Sequence, residues 1–249
     1  MKRVITYLVV FLICGHVLAQ SAQELMYQGY LHRSADHWKK ALELAIKESN
    51  ENPNDPVQQK ATAYAYFSLL NGSMAMPDDD LFEAYIKDGK KFLKKFVDDN
   101  PKSGEAAAML SSIYGNEIGK SPMFYKGMIL GSKSSGLAEK GILFEPTSPV
   151  AWSVYASNKY YTPSSFGGDL QEAIKGWEKT IQLSQAQANT LRGNWLYLNA
   201  IVFLGQAYQK AGSREKAIAA YEKALVVEPQ FQYAKILLDK IKKQQVEKE

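Results

Sequence analysis

Cysteine is almost missing from this chain: its 249 residues include one, Cys14. No internal disulfide can form, so any stability has to come from packing rather than from covalent staples. Histidine is scarce as well. Beyond the amino-terminal segment only His32 and His37 remain, five apart, with Asp36 as the one acidic neighbour and no cysteine, which is not a metal-ligand spacing. With both near the amino end, and no serine in a strand-to-helix elbow, a Ser/His/Asp triad has no support either. A strong charge of one sign is also lacking. The formal charge is +4, and lysine is interspersed with glutamate and aspartate, the pattern of solvated helix faces rather than of a nucleic-acid surface. The nearest thing to a phosphate-binding loop is Gly115-Asn116-Glu117-Ile118-Gly119-Lys120-Ser121. It has three residues between its glycines where four are needed, and it follows a helical pattern instead of a strand. The paired carboxylates at Asp78–Asp80 and Asp98-Asp99 fall at helix ends, where capping accounts for them. No catalytic residue, metal or cofactor is therefore expected.

What is present begins with a leader. Lys2-Arg3, an apolar run over residues 4–14 and Val17-Leu18-Ala19 before Gln20 have the layout of a signal peptide, and the run is too short for the roughly 20 residues that span a bilayer. Cleavage is expected after Ala19, giving residues 1–19 as the leader and 20–249 as one exported domain with no membrane span. An uncleaved anchor and lipidation at Cys14 are the rival readings; Ile13 is bulky where lipoprotein processing wants a small residue. Losing Lys2 and Arg3 takes the formal charge from +4 to +2, and the only thiol goes with them.

The rest of the chain, 46% hydrophobic and 22% charged, is ample for a large core, and it repeats itself. The clearest unit spans residues 198–231. Leu204, Gly205 and Tyr208 share one helix face, Ala217, Tyr221 and Ala224 share another, and Pro229 closes the unit by disfavouring helix in the residue before it. Gly205 and Ala224 are small where two helix backbones approach, and the larger side chains fill the space beside them. Between the helices, Gly212 suits a positive φ and Ser213 is placed to cap the second helix. The second-helix face recurs with the same four-then-three spacing as Trp38, Leu42, Ala45; Gly89, Leu93, Phe96; Ser134, Ala138, Gly141; and Ala173, Trp177, Thr180. First-helix faces are looser: Leu110, Ser111, Tyr114; Trp152, Tyr155, Ala156; and an apolar stretch with Tyr64, Tyr66 and Phe67. The degenerate units run over about 22–53, 56–101, 104–148 and 149–189, with a capping helix at about 230–244. Turns enlarged by Gly, Ser, Pro and Asp are expected at 71–80, 115–123 and 162–169, with Asp169 capping the helix that follows.

Over its 34 residues the 198–231 unit resembles a tetratricopeptide repeat, departing from it at Ile201, where the family usually has Trp. Residues 101–183, with Tyr160-Tyr161 ahead of Thr162-Pro163-Ser164-Ser165-Phe166-Gly167-Gly168-Asp169, are similar to exported tetratricopeptide-type proteins of bacterial envelopes. The resemblance implies an all-α, right-handed solenoid of stacked antiparallel helix pairs, ten to twelve helices in all, in the periplasm, with first helices lining a concave groove. It further implies a non-catalytic scaffold that binds a peptide or partner protein. Candidate contacts are Tyr160, Tyr161 and Phe166 at the enlarged turn, and Asn199, Val202, Gln206 and Gln209, opposite Leu204 and Tyr208, in the groove. Adjacent helical residues cannot both face the core, which singles out Tyr160 and Tyr161 among the aromatics Tyr64, Tyr66, Trp152, Tyr155, Trp195 and Tyr197. Val202 and Gln206 do not supply the Lys, Asn and Arg of a carboxylate clamp. An envelope glycan, stacking on exposed rings, is the second reading; a divergent hydrolase or enzyme accessory is the third.

Overall fold

A computed structural model describes residues 21–77, 79–121, 124–187 and 191–246. The expected leader, Asp78, Met123 and the final three residues lie outside that set. The described residues are all-α, with eleven α-helices: α1 (Ala22–His32), α2 (Ala35–Glu51), α3 (Pro56–Ser73), α4 (Asp80–Asp99), α5 (Gly104–Gly119), α6 (Phe124–Phe144), α7 (Pro149–Tyr161), α8 (Leu170–Gln187), α9 (Trp195–Lys210), α10 (Arg214–Val227) and α11 (Gln232–Val246). One 3-10 turn, Ser164–Phe166, interrupts the α7–α8 connection.

The helices start where the sequence supplies a cap. Ser21, Asp55, Ser103, Ser148 and Asn194 each accept a bond from a backbone N–H of the first turn, and Pro56 and Pro149 occupy first-turn positions where a missing N–H costs nothing. Asp169 caps α8 through bonds from the Gln171 and Glu172 amides at 2.8 and 3.1 Å. Ser213 behaves differently from expectation, because its hydroxyl makes no cap bond. Its N–H instead reaches back to the Tyr208 carbonyl at 2.8 Å while Gly212, at φ +76°, bonds Gln209. The residue finishes α9 through its N–H and starts α10 through its carbonyl, which accepts from the Ala217 amide at 3.1 Å.

Each odd-numbered helix packs on the even one that follows, and neighbouring pairs stack, α3 on α5, α5 on α7 and α7 on α9. One continuous core runs from Leu25 to Ala234. The second-helix triads are buried, their hydrophobic side chains all in this core except Ala217 and Tyr221, which join Leu238 and Ile241 in a smaller cluster: Trp38, Leu42, Ala45, Leu93, Ala138, Ala173, Trp177, Thr180, Tyr221 and Ala224 are essentially inaccessible. Small residues let them in. A Cβ on Gly205 would stand 2.4 Å from the Tyr221 ring, and one on Gly72 would stand 2.3 Å from the Trp38 ring. Between α5 and α6 a polar pair sits beside the close approach of Gly104, Ala108 and Gly141. Ser111 and Ser134 each donate a hydroxyl proton to the other's carbonyl, at 2.7 and 2.9 Å.

Residues 115–119, expected in a turn, are the last turn of α5. Glu117 pairs with Lys90, Asn116 donates to the Leu70 carbonyl at 3.4 Å, and these ties to α3 and α4 hold the glycine-flanked turn helical. Asn71 to Ser73 are likewise helical.

Candidate functional site

The chain does not leave its first helix at a free end. α1 packs against α3, and also against α9 and α11. Tyr27 Oη donates to Glu228 Oε2 at 3.0 Å, inside the protein, and Arg192 Nε approaches the same oxygen at 3.4 Å. Glu228 takes extended geometry just before Pro229, which turns its carboxylate toward α1. Burial, reinforced by that carboxylate, pushes the Tyr27 phenol well above its ordinary value. Beside this seam is a cavity of about 380 Å³ lined by Glu24, Tyr27, Gln28, Arg192, Gly193 and Glu228.

Deeper along the seam, aromatic rings close the inner side of the array. Tyr30 meets Trp195 and Phe231 at centroid distances of 5.9 and 5.4 Å, and Trp195 meets Tyr64 and Phe67 at 5.9 and 5.7 Å. Desolvation raises the Tyr30 and Tyr64 phenols. Where an open groove was expected among the first helices, side chains of α1, α3 and α9 pack on one another.

This closure decides the fate of the expected groove residues. Val202 is fully buried, at 0% exposure, and belongs to the core rather than to a groove. Asn199 Nδ2 donates to Tyr30 Oη at 3.5 Å, Gln206 Nε2 donates to Tyr233 Oη at 2.9 Å, and Gln209 Oε1 accepts from Tyr221 Oη at 3.4 Å. The three amides therefore tie helices of this chain together. Tyr66, Tyr155, Trp195 and Tyr197 are buried, and Phe166 stands out at 66% exposure on the 3-10 turn.

Tyr160 and Tyr161 end α7, and they differ. Tyr160 is half-buried against Trp177, at 5.3 Å between centroids, and its phenol is raised by burial. Tyr161 is 65% exposed. It sits edge-on to Tyr160 at 4.9 Å and to Phe203 at 6.2 Å, and Phe203 in turn stacks on Trp177 at 5.5 Å with an interplanar angle of 16°. Lys210 Nζ lies 4.6 Å above the Tyr160 ring. One turn before Lys210, Gln206 leads to Tyr233, over whose ring the Arg33 guanidinium lies at 4.4 Å. The result is one continuous surface, Lys210–Tyr160–Tyr161–Phe203–Gln206–Tyr233–Arg33, built from α7, α9, α11 and the residue that ends α1. The sequence reading missed Phe203, Tyr233 and Arg33. Phe203 and Gln206 carry the usual three-residue spacing of one helix face, so that pair was open to discovery; the other two arrive by closure.

Arg33 is the one non-glycine among the described residues with positive φ, at 50°. Left-handed geometry costs an ordinary residue about 1–2 kcal/mol, and helix ends of this kind usually use glycine.

No protein-family model and no curated protein matches the sequence. Solved structures do match its shape. TTC0263, a thermophilic TPR protein of Thermus thermophilus, superposes with a TM-score of 0.59 at 15% identity, over 89% of this chain and 98% of its own. The fold is tetratricopeptide-like. The HusA haemophore of Porphyromonas gingivalis gives 0.56 at 18% identity, over 78% of this chain and 96% of HusA. Human IFIT1, solved as a dimer with m7Gppp-AAAA, gives 0.59 at 15% identity over 84% of this chain; the match spans 42% of IFIT1. At these identities the likeness is one of fold. Among the described residues, no group of three or more His, Cys, Asp or Glu is placed to hold a metal ion, and no helix is long and apolar enough to cross a membrane.

Proposed function

We propose that this protein is a non-catalytic interaction scaffold that captures a peptide or partner protein on the aromatic surface around Tyr161. The observation that carries the reading is a contrast of exposure. The other large rings of the described array are buried or partly buried, apart from Phe144 at 43% exposure, whereas Tyr161 and Phe166 are left 65% and 66% exposed at one edge. Rings presented on rigid helices bind with little loss of side-chain entropy, and stacked helical repeats hold such surfaces in fixed register. The leader over residues 1–19 supports action in the periplasm of a Gram-negative-type cell, on a chain cleaved after Ala19.

An envelope glycan is the weaker reading. Sugar recognition wants free amides and carboxylates beside exposed rings, and Asn199, Gln206 and Gln209 are engaged by this chain's own tyrosines.

Affinity capture from a cell-envelope extract tests the proposal, with Tyr161→Ala/Phe166→Ala run beside the parent protein. These two rings are mostly solvent-exposed, so the variant should fold normally and lose the specific protein recovered by the parent. Recovery of the same protein in equal amount by both would refute the site. Recovery of glycan in place of protein would move the assignment to the polymer.

A further inference from the structure

The aromatic surface is rich in hydrogen-bond donors. Tyr233 Oη already accepts from Gln206, so its own proton is free to point elsewhere, and neither Tyr160 nor Tyr161 has a hydrogen-bond acceptor among the described residues. Two cations border these phenols. Arg33 and Lys210 each lie over a tyrosine ring, and neither has a carboxylate within ion-pair reach among the described residues. Lys216 and Lys223 on α10 likewise lie over tyrosine rings with no ion pair among the described residues, whereas Arg192 is taken by Glu228 and Lys242 by Glu222. Glu178, on the adjoining α8, accepts from the Tyr208 hydroxyl. The surface thus carries two unpaired positive charges and three unaccepted phenol protons around apolar ring edges, with no carboxylate of its own.

Local geometry adds a second observation. Arg33 holds its left-handed backbone at a helix end where glycine would be unstrained, and its guanidinium is thereby set over Tyr233. Strain kept at one non-glycine residue marks a position chosen for its side chain more than for its backbone.

We infer that the partner engages this surface through an acidic peptide segment, its carboxylates meeting Arg33 and Lys210 at the two ends and its chain lying across Tyr161 and Phe203. The inference rests on the scaffold reading and names the chemistry of the partner. Charge complementarity carries it: phenols, guanidinium and ammonium all donate, so the missing half of each bond is an acceptor, preferably anionic. Paired cations on an exposed rim also speed encounter with an anionic partner, and the gain falls with salt.

The test is fluorescence anisotropy of the full-length protein with a fluorescein-labelled peptide of alternating glutamate and glycine, and with its lysine–glycine counterpart. Saturable binding of the glutamate peptide alone is expected, weakening as salt rises. Lys210→Glu and Arg33→Glu should each weaken it by about tenfold or more. Arg33→Gly separates recognition from folding: it removes the cation and relieves the backbone, so binding should fall while the thermal midpoint stays level or rises. No saturable binding, equal binding of the lysine peptide, or full binding by all three variants would overturn the acidic-peptide assignment. Preference for a small planar dicarboxylate such as a porphyrin over the peptide would overturn it too. If the assignment fails while Tyr161→Ala/Phe166→Ala still abolishes capture of the envelope partner, the scaffold reading stands without its acidic ligand; if that capture is also unchanged, both fall.

Discussion

Gly205 shows how much one hydrogen atom in place of a side chain decides. Its helix lies so near the Tyr221 ring that a Cβ would come within 2.4 Å, and Tyr221 itself has no exposed surface through which to retreat. Gly205→Leu should therefore overpack the last hairpin and cost about 1–3 kcal/mol, read as a lower denaturation midpoint. Tyr221 makes a separate prediction. Burial pushes its phenol up from 10.0 to about 12, so the folded state holds the proton more tightly than the unfolded one. That contribution to stability is complete below pH 10 and disappears as the pH climbs through 12. Tyr27, Tyr30, Tyr64 and Tyr208 are raised in the same sense. Stability should consequently fall steeply above pH 10 in denaturant titrations, and Tyr221→Phe should soften that fall while changing little at neutral pH, where its hydroxyl has only a 3.4 Å bond to Gln209 to lose.

Among elements, α9 links parts of the chain far apart in sequence, packing on α7, α8, α10 and α1. Its buried residues fill three sides, and this is why the sequence reading succeeded on one of its faces and failed on another. Gly205 faces α10, as its spacing with Tyr221 implies, because that contact lies within one hairpin and is written in local periodicity. The opposite face, with Asn199, Val202 and Gln206, reads locally as a polar groove. Its true neighbours are Tyr30 on α1 and Tyr233 on α11, the first of them 169 residues away from Asn199, and no short-range pattern records such a partner. The same reasoning covers the end of α5, where glycines that suggest a turn are outweighed by Lys90 and Leu70 on other helices. Tyr161 was accessible to sequence reasoning because it ends α7 beside an enlarged turn; adjacency alone does not expose a ring, since Tyr66 and Phe67, and Trp195 to Leu198, are all buried. Arg33 was not, since nothing in its letter or its neighbours announces a left-handed backbone. At this scale Tyr27→Phe is informative. It removes one donor from the buried Glu228 carboxylate, and should cost about 1–3 kcal/mol through the acceptor left short of a partner. Amide exchange should then quicken in α1 before it quickens in α5 or α6.

For the molecule as a whole, closure changes how stability is shared. A linear repeat array frays from its ends, each unit contributing its own stability and one interface. Here α1 is tied back to α9 and α11, so both ends lean on one another. Urea unfolding should be a single cooperative step, the same by far-UV circular dichroism and by tryptophan fluorescence. Glu228→Ala should break the tie, lowering the midpoint and separating the two signals. Coincident signals in that variant would argue that the seam adds little to cooperativity.

The bond between Tyr27 and Glu228 joins residues 201 apart, and that separation sets a clock on the newborn chain. Tyr27 and Tyr30 belong to the first described helix, yet Glu228, Trp195 and Phe231, which meet them, are synthesised far later. Until those late residues are made, this flank of α1 lacks part of its final cover, the condition under which chaperones bind. The α1 seam therefore closes late, after every helix between α1 and α9 has been made.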